Sequence, residues 1–254
     1  MPNQGSEPLR HVLADVSSIQ STEEYFGIDL DAMAHADNYH RWILARFQPY
    51  LGRTVAEVGA GIGTFTTLVA GTQADEIYAF EPSSNMYPLL ADFCRNLPRV
   101  KAVNSFFDHR QGGFLNYFDS VLYVNVMEHV QDAAGEMRIV QQTLKPGGYL
   151  CLFVPALAFL YSDFDRKLGH FRRFHRAELV ALVEASGFQV VEASYFDFFG
   201  ILPWYIRFKL MKQTLSARNV QLYDRLVVPI AQRLEQWVRP PLGKNLLLVA
   251  RKAQ

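Results

Sequence analysis

Two cysteines in 254 residues are too few for a disulfide framework. Cys151 lies inside an apolar run, which reads as a buried free thiol and favours a reducing, cytoplasmic compartment. No apolar run is long enough to span a bilayer; the longest, around Leu150 to Leu160, is interrupted by Pro155. The N-terminus carries Gln4, Ser6 and Glu7 where a secretory signal would be apolar. Internal repeats and low-complexity tracts are absent. The seven histidines lack cysteine partners or metal-ligand spacing, so no metal site is expected. Net charge is also absent, at +0, but the balance is uneven along the chain. From Gly200 onward ten Lys or Arg face two acids, Asp224 and Glu235. Such asymmetry points to a surface role for the basic part.

What remains is an ordinary globular composition, 50% hydrophobic and 20% charged, sufficient for one large core. Its most informative stretch is Val55-Ala56-Glu57-Val58-Gly59-Ala60-Gly61-Ile62-Gly63-Thr64. An apolar strand enters a turn with three glycines, and a helix follows. Glycines there let backbone approach a ligand where a side chain would collide. A second apolar strand, Ile77 to Phe80, ends in Glu81, placed to hydrogen-bond two ribose hydroxyls. The pattern is that of an adenosine-binding α/β unit.

The glycine spacing separates the adenosine cofactors. In a dinucleotide fingerprint, G-x-G-x-x-G, the third glycine would fall on Thr64. Here the extra glycine is Gly63, and Glu57 precedes the first by two residues. A carboxylate at that point repels a pyrophosphate and attracts an ammonium or sulfonium cation.

E-x-G-x-G-x-G resembles the first motif of class I S-adenosylmethionine-dependent methyltransferases. Phe118-Asp119-Ser120-Val121 through Val126-Met127-Glu128-His129-Val130 resembles that family's fourth strand and its exit. Leu144-Lys145-Pro146-Gly147-Gly148 resembles the turn before its fifth strand. The resemblance covers residues 36 to 195 and is nearest the branch of quinone-biosynthesis methyltransferases. It implies methyl transfer by direct displacement, with S-adenosylmethionine as cofactor. Glu57, Gly59, Ala60, Gly61 and Gly63 would hold its methionine part and Glu81 its ribose. Asp108 would reach the adenine, with Phe106 or Phe107 packing on the ring. Asn125 and Val126 would floor the sulfonium, and Tyr39 would close over the cofactor from an N-terminal helix. His129 is the candidate base.

The chain reads as one α/β domain over 31–254, preceded by an arm over 1–30. Its fold is a Rossmann-like, doubly wound, seven-stranded sheet, mostly parallel, with an antiparallel last strand. Periodicity predicts a helix over 31–48, strands at 54–58, 76–80, 100–104, 119–125, 148–154 and 188–195, and a last strand at Leu246 to Val249. Residues 156–175 form an acceptor loop. In it, Gly169-His170-Phe171-Arg172-Arg173-Phe174 resembles a motif found in part of that branch. Tyr161, His170, Arg172 and Arg173 would bind an anionic acceptor through forked hydrogen bonds, with His170 a second catalytic candidate. The competing reading is a loop held by Arg–Asp pairs to Asp163 and Asp165.

Residues 197–243 form a helical lid insertion. There Val220, Tyr223, Val227, Ile230, Leu234 and Trp237 mark one apolar helix face, and Pro229 kinks or splits it. The expected acceptor is a small or lipid-like metabolite, with possible peripheral contact with an anionic membrane. The catalytic tetrad for amine targets on bases, N-P-P-Y, is missing after strand four, so no nucleic-acid partner is expected. A dinucleotide oxidoreductase is disfavoured by Thr64. An inactive binding subunit is disfavoured by the intact Glu57, glycines and Glu81.

Overall fold

The computed structural model describes residues 33–108 and 113–253. The expected arm at 1–30 and the first two residues of the expected helix at 31–48 lie outside them.

Alternating elements wind one mixed sheet. Helix α1 is Asp37–Phe47, β1 Thr54–Val58, α2 Thr64–Ala70, β2 Glu76–Phe80, α3 Tyr87–Cys94 and β3 Val100–Val103. Then follow β4 Phe118–Val124, α4 Ala133–Thr143, β5 Leu144–Pro155, α5 Asp163–Lys167, α6 Arg176–Ala185 and β6 Phe188–Phe196. The insertion holds α7, Ile201–Trp204, which continues as π-helix over Tyr205–Leu210, and then α8 Ala217–Leu226 and α9 Val228–Trp237. Strand β7, Asn245–Lys252, closes the sheet. Strand order is β3-β2-β1-β4-β5-β7-β6. All pairs are parallel except those of β7, which runs antiparallel to both β5 and β6.

The seven-stranded, mostly parallel fold with an antiparallel last strand is therefore as expected. Strand side chains alternate between faces, and each face has its own core. Ala56, Val58, Val121, Tyr123, Leu150 and Leu152 pack on the α4–α6 side. Val55, Ile77, Leu122, Cys151 and Phe153 pack with Trp42, Ile43 and Phe47 of α1. Cys151 is a free, buried thiol.

Two elements differ from the periodicity. Strand β5 begins at Leu144 rather than 148, because Leu144 pairs with Phe118 before a register shift and pairing resumes at Ser120 with Tyr149. The Lys-Pro-Gly-Gly run is thus an irregularity inside the strand, not a turn ahead of it. In the insertion the helix divides at Val227, with Pro229 in the first turn of α9, where its missing N–H is not needed.

Candidate active site

The carboxyl ends of β1, β2 and β4 open onto a cavity of about 320 Å³. Glu57, Gly59, Ala60 and Gly61 line it from β1, Glu81 from β2, and Asn125, Val126 and His129 from β4. This is the crevice beyond parallel strand ends where open α/β sheets bind ligands.

The glycine turn is shaped by close approach. Gly59, Gly61 and Gly63 all have positive φ, and Gly63 starts α2. A Cβ added to Gly59 would lie 2.5 Å from Val126 Cγ2. The turn is pinned by Gly59 N and Ala60 N, which both donate to Phe80 O, at 2.9 and 3.0 Å. Gly61 N donates to Glu81 Oε2 at 2.8 Å, so the second acid also fixes the loop. Ser83 N donates to Glu81 Oε1 at 2.9 Å. Glu81 is thus a buried carboxylate on the cavity wall, oriented by three donors, the third being the Ser83 hydroxyl at 2.5 Å.

Glu57 is buried, and its Oε2 has no hydrogen-bond partner among the described residues. Burial pushes its carboxyl up to about 8. An orphaned buried carboxylate beside a glycine cradle fits a cationic group, and a sulfonium–ammonium ligand supplies one. The donor set of the cavity therefore fits S-adenosylmethionine.

Asn125, at φ +56, projects from β4 with its N–H held by Phe153 O at 2.8 Å. Phe106 lines the cavity with its ring half-exposed, whereas Phe107 lies in an aromatic core with Phe80, Phe118 and Tyr123. Phe106 is the ring free to cover an adenine.

Three residues expected to hold the cofactor are placed otherwise: Gly63 is not in the lining, which passes from Ile62 to Thr64, and neither Tyr39 nor Asp108 reaches it. Tyr39 does not line this cavity. Its hydroxyl donates to Asn245 Oδ1 at 2.9 Å, and its ring packs on Trp42, Phe153 and Phe196. One residue on, about 100° around the helix, His40 takes the cavity-facing position, with its Nδ1 unpartnered. Asp108 is not among the lining residues; Ser105, Phe106 and Phe107 form that wall.

Arg173 is not available to an acceptor. Its guanidinium is 1% exposed and donates to Asp165 Oδ1 through Nε at 2.8 Å, with Nη2 at 2.7 Å. Nη1 donates to Ala156 O at 3.2 Å, and the group lies over the Trp204 ring. Asp165 also accepts from the Ser162 N–H and hydroxyl and faces His170 Nδ1 at 3.1 Å. Burial opposes its ionisation, but the His170 hydrogen bond and the Arg173 charge outweigh this and hold its carboxyl below the usual range. The Arg–Asp reading of the loop thus holds for Arg173–Asp165 and, at the surface, for Arg166–Asp163 at 3.0 Å. Tyr161 donates its hydroxyl to His170 O, and half-exposed Arg172 donates to Gln131 O.

The loop delivers His170 behind His129, with ring centroids 4.7 Å apart and edge-to-face. His170 Nε2 is 4.0 Å from Glu128 Oε1. Glu128 is buried, its Oε2 unpartnered, and burial pushes its carboxyl up to about 7. Burial and the adjacent His170 push His129 down to about 3. Ligand atoms of Glu128, His129 and His170 all lie within 4.8 Å of one another, a grouping that sequence spacing concealed because the residues meet only through the loop.

A second cavity, about 350 Å³, adjoins the first, with Met33 on both walls. Tyr39, Trp204, Phe208, Val220 and Tyr223 give it a mostly apolar lining, with Arg207, Lys244 and Asp224 as its charged members. Lys244 Nζ is 3.0 Å from buried Asp197. Sequence periodicity signalled the helices here but not the space between them.

A profile of the "Methyltransferase domain" family matches residues 20–193. The chain is 27% identical over 131 residues to a tRNA U34 carboxymethyltransferase of Geobacter sp. (strain M21), covering 50% of this chain and 40% of that relative. Its fold is similar to the methyltransferase in a complex with the Haloferax volcanii Trm112 activator, at TM-score 0.65 and 16% identity over 90% of this chain and 95% of that one. It is also similar to Haemonchus contortus phosphoethanolamine N-methyltransferase 2 bound to S-adenosyl-L-methionine, at TM-score 0.59 and 20% identity over 89% of this chain and 57% of that one. With the glycine cradle, Glu57 and Glu81 in place, the chain belongs to the methyltransferase-domain family, as a class I methyltransferase whose cofactor is S-adenosylmethionine.

Proposed function

We propose that this methyltransferase acts on a small or lipid-like acceptor seated in the second cavity. The observation that carries the reading is the sharing of Met33 by two cavities, one glycine-cradled and holding the buried acids Glu57 and Glu81, the other lined by aromatic and aliphatic side chains. Glu57 would hold the cationic methionine part and Glu81 the ribose, with Phe106 over the adenine and Asn125 and Val126 beneath the sulfonium. When bound, S-adenosylmethionine supplies an electrophilic methyl group open to direct displacement. The chain's own work is then positioning.

His129 lines the cofactor cavity as a neutral imidazole and is suited to hydrogen-bond and orient an acceptor rather than to take its proton. His170 is a positioning residue behind it, held by Asp165. Arg207, on the wall of the second cavity, supports an acidic group on the acceptor, whereas Arg172 lines neither cavity and would reach that group only from the loop's surface.

The Geobacter relative is named for a tRNA substrate. The lack of an N-P-P-Y tetrad speaks only against amine methylation of bases, so nucleic acid belongs in the test. Methyl-labelled S-adenosylmethionine is incubated with the chain and, separately, with lipid extract, acidic small metabolites and bulk tRNA. Label in a lipid or small-metabolite fraction, reduced by Trp204→Ala, supports the reading. Label in tRNA alone overturns it.

A further inference from the structure

The insertion buries its acids and shows its cations. Asp224 is turned inward and accepts the Asn38 and Tyr39 N–H groups at 3.1 and 2.9 Å, capping the start of α1. Glu235 is turned inward and accepts the Asp197 and Phe198 N–H groups at 3.2 and 2.9 Å. No other acid follows Gly200. Arg218, Arg225 and Arg233 on these helices, Arg239 just after α9, and Lys209 and Lys212 before α8 are exposed. The insertion's surface charge is therefore of one sign.

Its apolar face is also outward. Sequence periodicity joined Val220, Tyr223 and Val227 with Ile230, Leu234 and Trp237 as one face. The structure divides them at Val227. On α9 the buried side is Val228, Ala231 and Glu235, while Ile230, Leu234 and Trp237 are exposed. On α8 the exposed apolar residues are Leu222 and Leu226. Leu222, Leu226, Ile230, Leu234 and Trp237 thus make a stripe at four- and three-residue steps, from 50% exposed at Leu234 to 88% at Trp237. By helix geometry Arg218, Arg225 and Arg233 fall within or beside it. Phe208 and Trp204 do not contribute, since Phe208 stacks on Phe164 and Trp204 meets the same ring edge-on.

We propose that the α8–α9 stripe is a docking surface for an anionic lipid membrane. A bilayer interface accepts Leu, Ile and Trp at the acyl boundary and arginine among acidic headgroups, and this surface presents both with no exposed acid on its helices. The charge alone would also suit nucleic acid, but an aliphatic stripe of this length has no use against phosphates. No helix among the described residues is long and apolar enough to cross a membrane, so the contact is peripheral. The docking stands whether or not the acceptor is a lipid.

The test is flotation of the full chain with vesicles of phosphatidylcholine alone or mixed with phosphatidylglycerol. Binding to the mixed vesicles at low salt, weakened by salt, is expected. Arg225→Gln with Arg233→Gln should lower it roughly 30-fold, from about fivefold per basic residue. Leu226→Ser with Ile230→Ser should abolish it while leaving the melting temperature unchanged, because both side chains are exposed. A blue shift of Trp237 emission, missing in Trp237→Phe, should accompany binding. Absence of flotation at low salt overturns the proposal. So does equal binding to neutral vesicles, a concentration-dependent dimer that the Leu226/Ile230 variant dissolves, or bulk tRNA binding that this variant leaves intact.

Discussion

Asp165 and Arg173 form a buried ion pair, 2.7 Å apart, that ties the loop after β5 to itself. Removing one partner leaves the other charged and desolvated. Arg173→Met should therefore cost about 3–5 kcal/mol of stability. Arg172→Gln, at a half-exposed site with one carbonyl partner, should cost less than about 1 kcal/mol and act on the acceptor's KM instead. Thermal unfolding and steady-state kinetics on the two single variants separate these roles. A stable Arg173→Met protein with raised KM would return Arg173 to the acceptor.

On the proposed placement of the cofactor, Glu57 should govern how its binding responds to pH. Its carboxyl keeps a proton up to about 8 in the cofactor-free cavity. A cationic ligand needs the carboxylate, so binding below that pH releases a proton. Affinity should rise with pH and level off above about 8, and Glu57→Gln should remove the slope. Calorimetry in buffers of different ionisation enthalpy reads the proton directly. The stability sign is the reverse: a carboxyl raised above its ordinary 4.5 stabilises the fold fully below that value and loses this as pH rises through about 8. The cofactor-free protein should melt lower across that window, less steeply in Glu57→Gln.

His129 should not set the pH dependence of turnover. Its imidazole is held down to about 3 and stays neutral through the neutral range. As a hydrogen-bonding group, its replacement by Asn should cost about 2- to 10-fold in kcat/KM. A loss beyond about 10²-fold, with an inflection in the pH profile that the variant lacks, would mark a general base instead.

Gly59→Ala should destabilise by about 1–3 kcal/mol through the clash with Val126. Val126→Ala in the same chain should relieve the steric part and leave the cost of φ +70. Melting temperatures of the two singles and the double variant check this; additive losses would mean that the two side chains do not meet.

The strand-end wall of the first cavity was legible in sequence because it is local. Glu57, the three glycines and Glu81 sit at strand ends, where a run of apolar residues announces the strand and a turn residue ends it. The rest was not, because it depends on which way helices face. Tyr39 and His40 are neighbours in sequence, and only the packing of α1 on Phe153 and Phe196 decides which meets the cavity. Arg173 and Arg172 carry the same charge, but burial gives one a structural partner and leaves the other at the surface. The break at Val227 likewise turned half of a continuous apolar pattern outward, since a 3.6-residue period states that a face exists and not what covers it.

The most direct test is calorimetric titration of S-adenosylmethionine into the full chain and into Glu81→Ala, with melting curves of both cofactor-free proteins. Because Glu81 lines the cavity and is proposed to pair with the ribose hydroxyls, one-to-one binding weakened by roughly 1–3 kcal/mol in a still-folded variant is the predicted result. Unchanged affinity in Glu81→Ala, or no binding to the native chain, would contradict the assignment of this cavity to the cofactor.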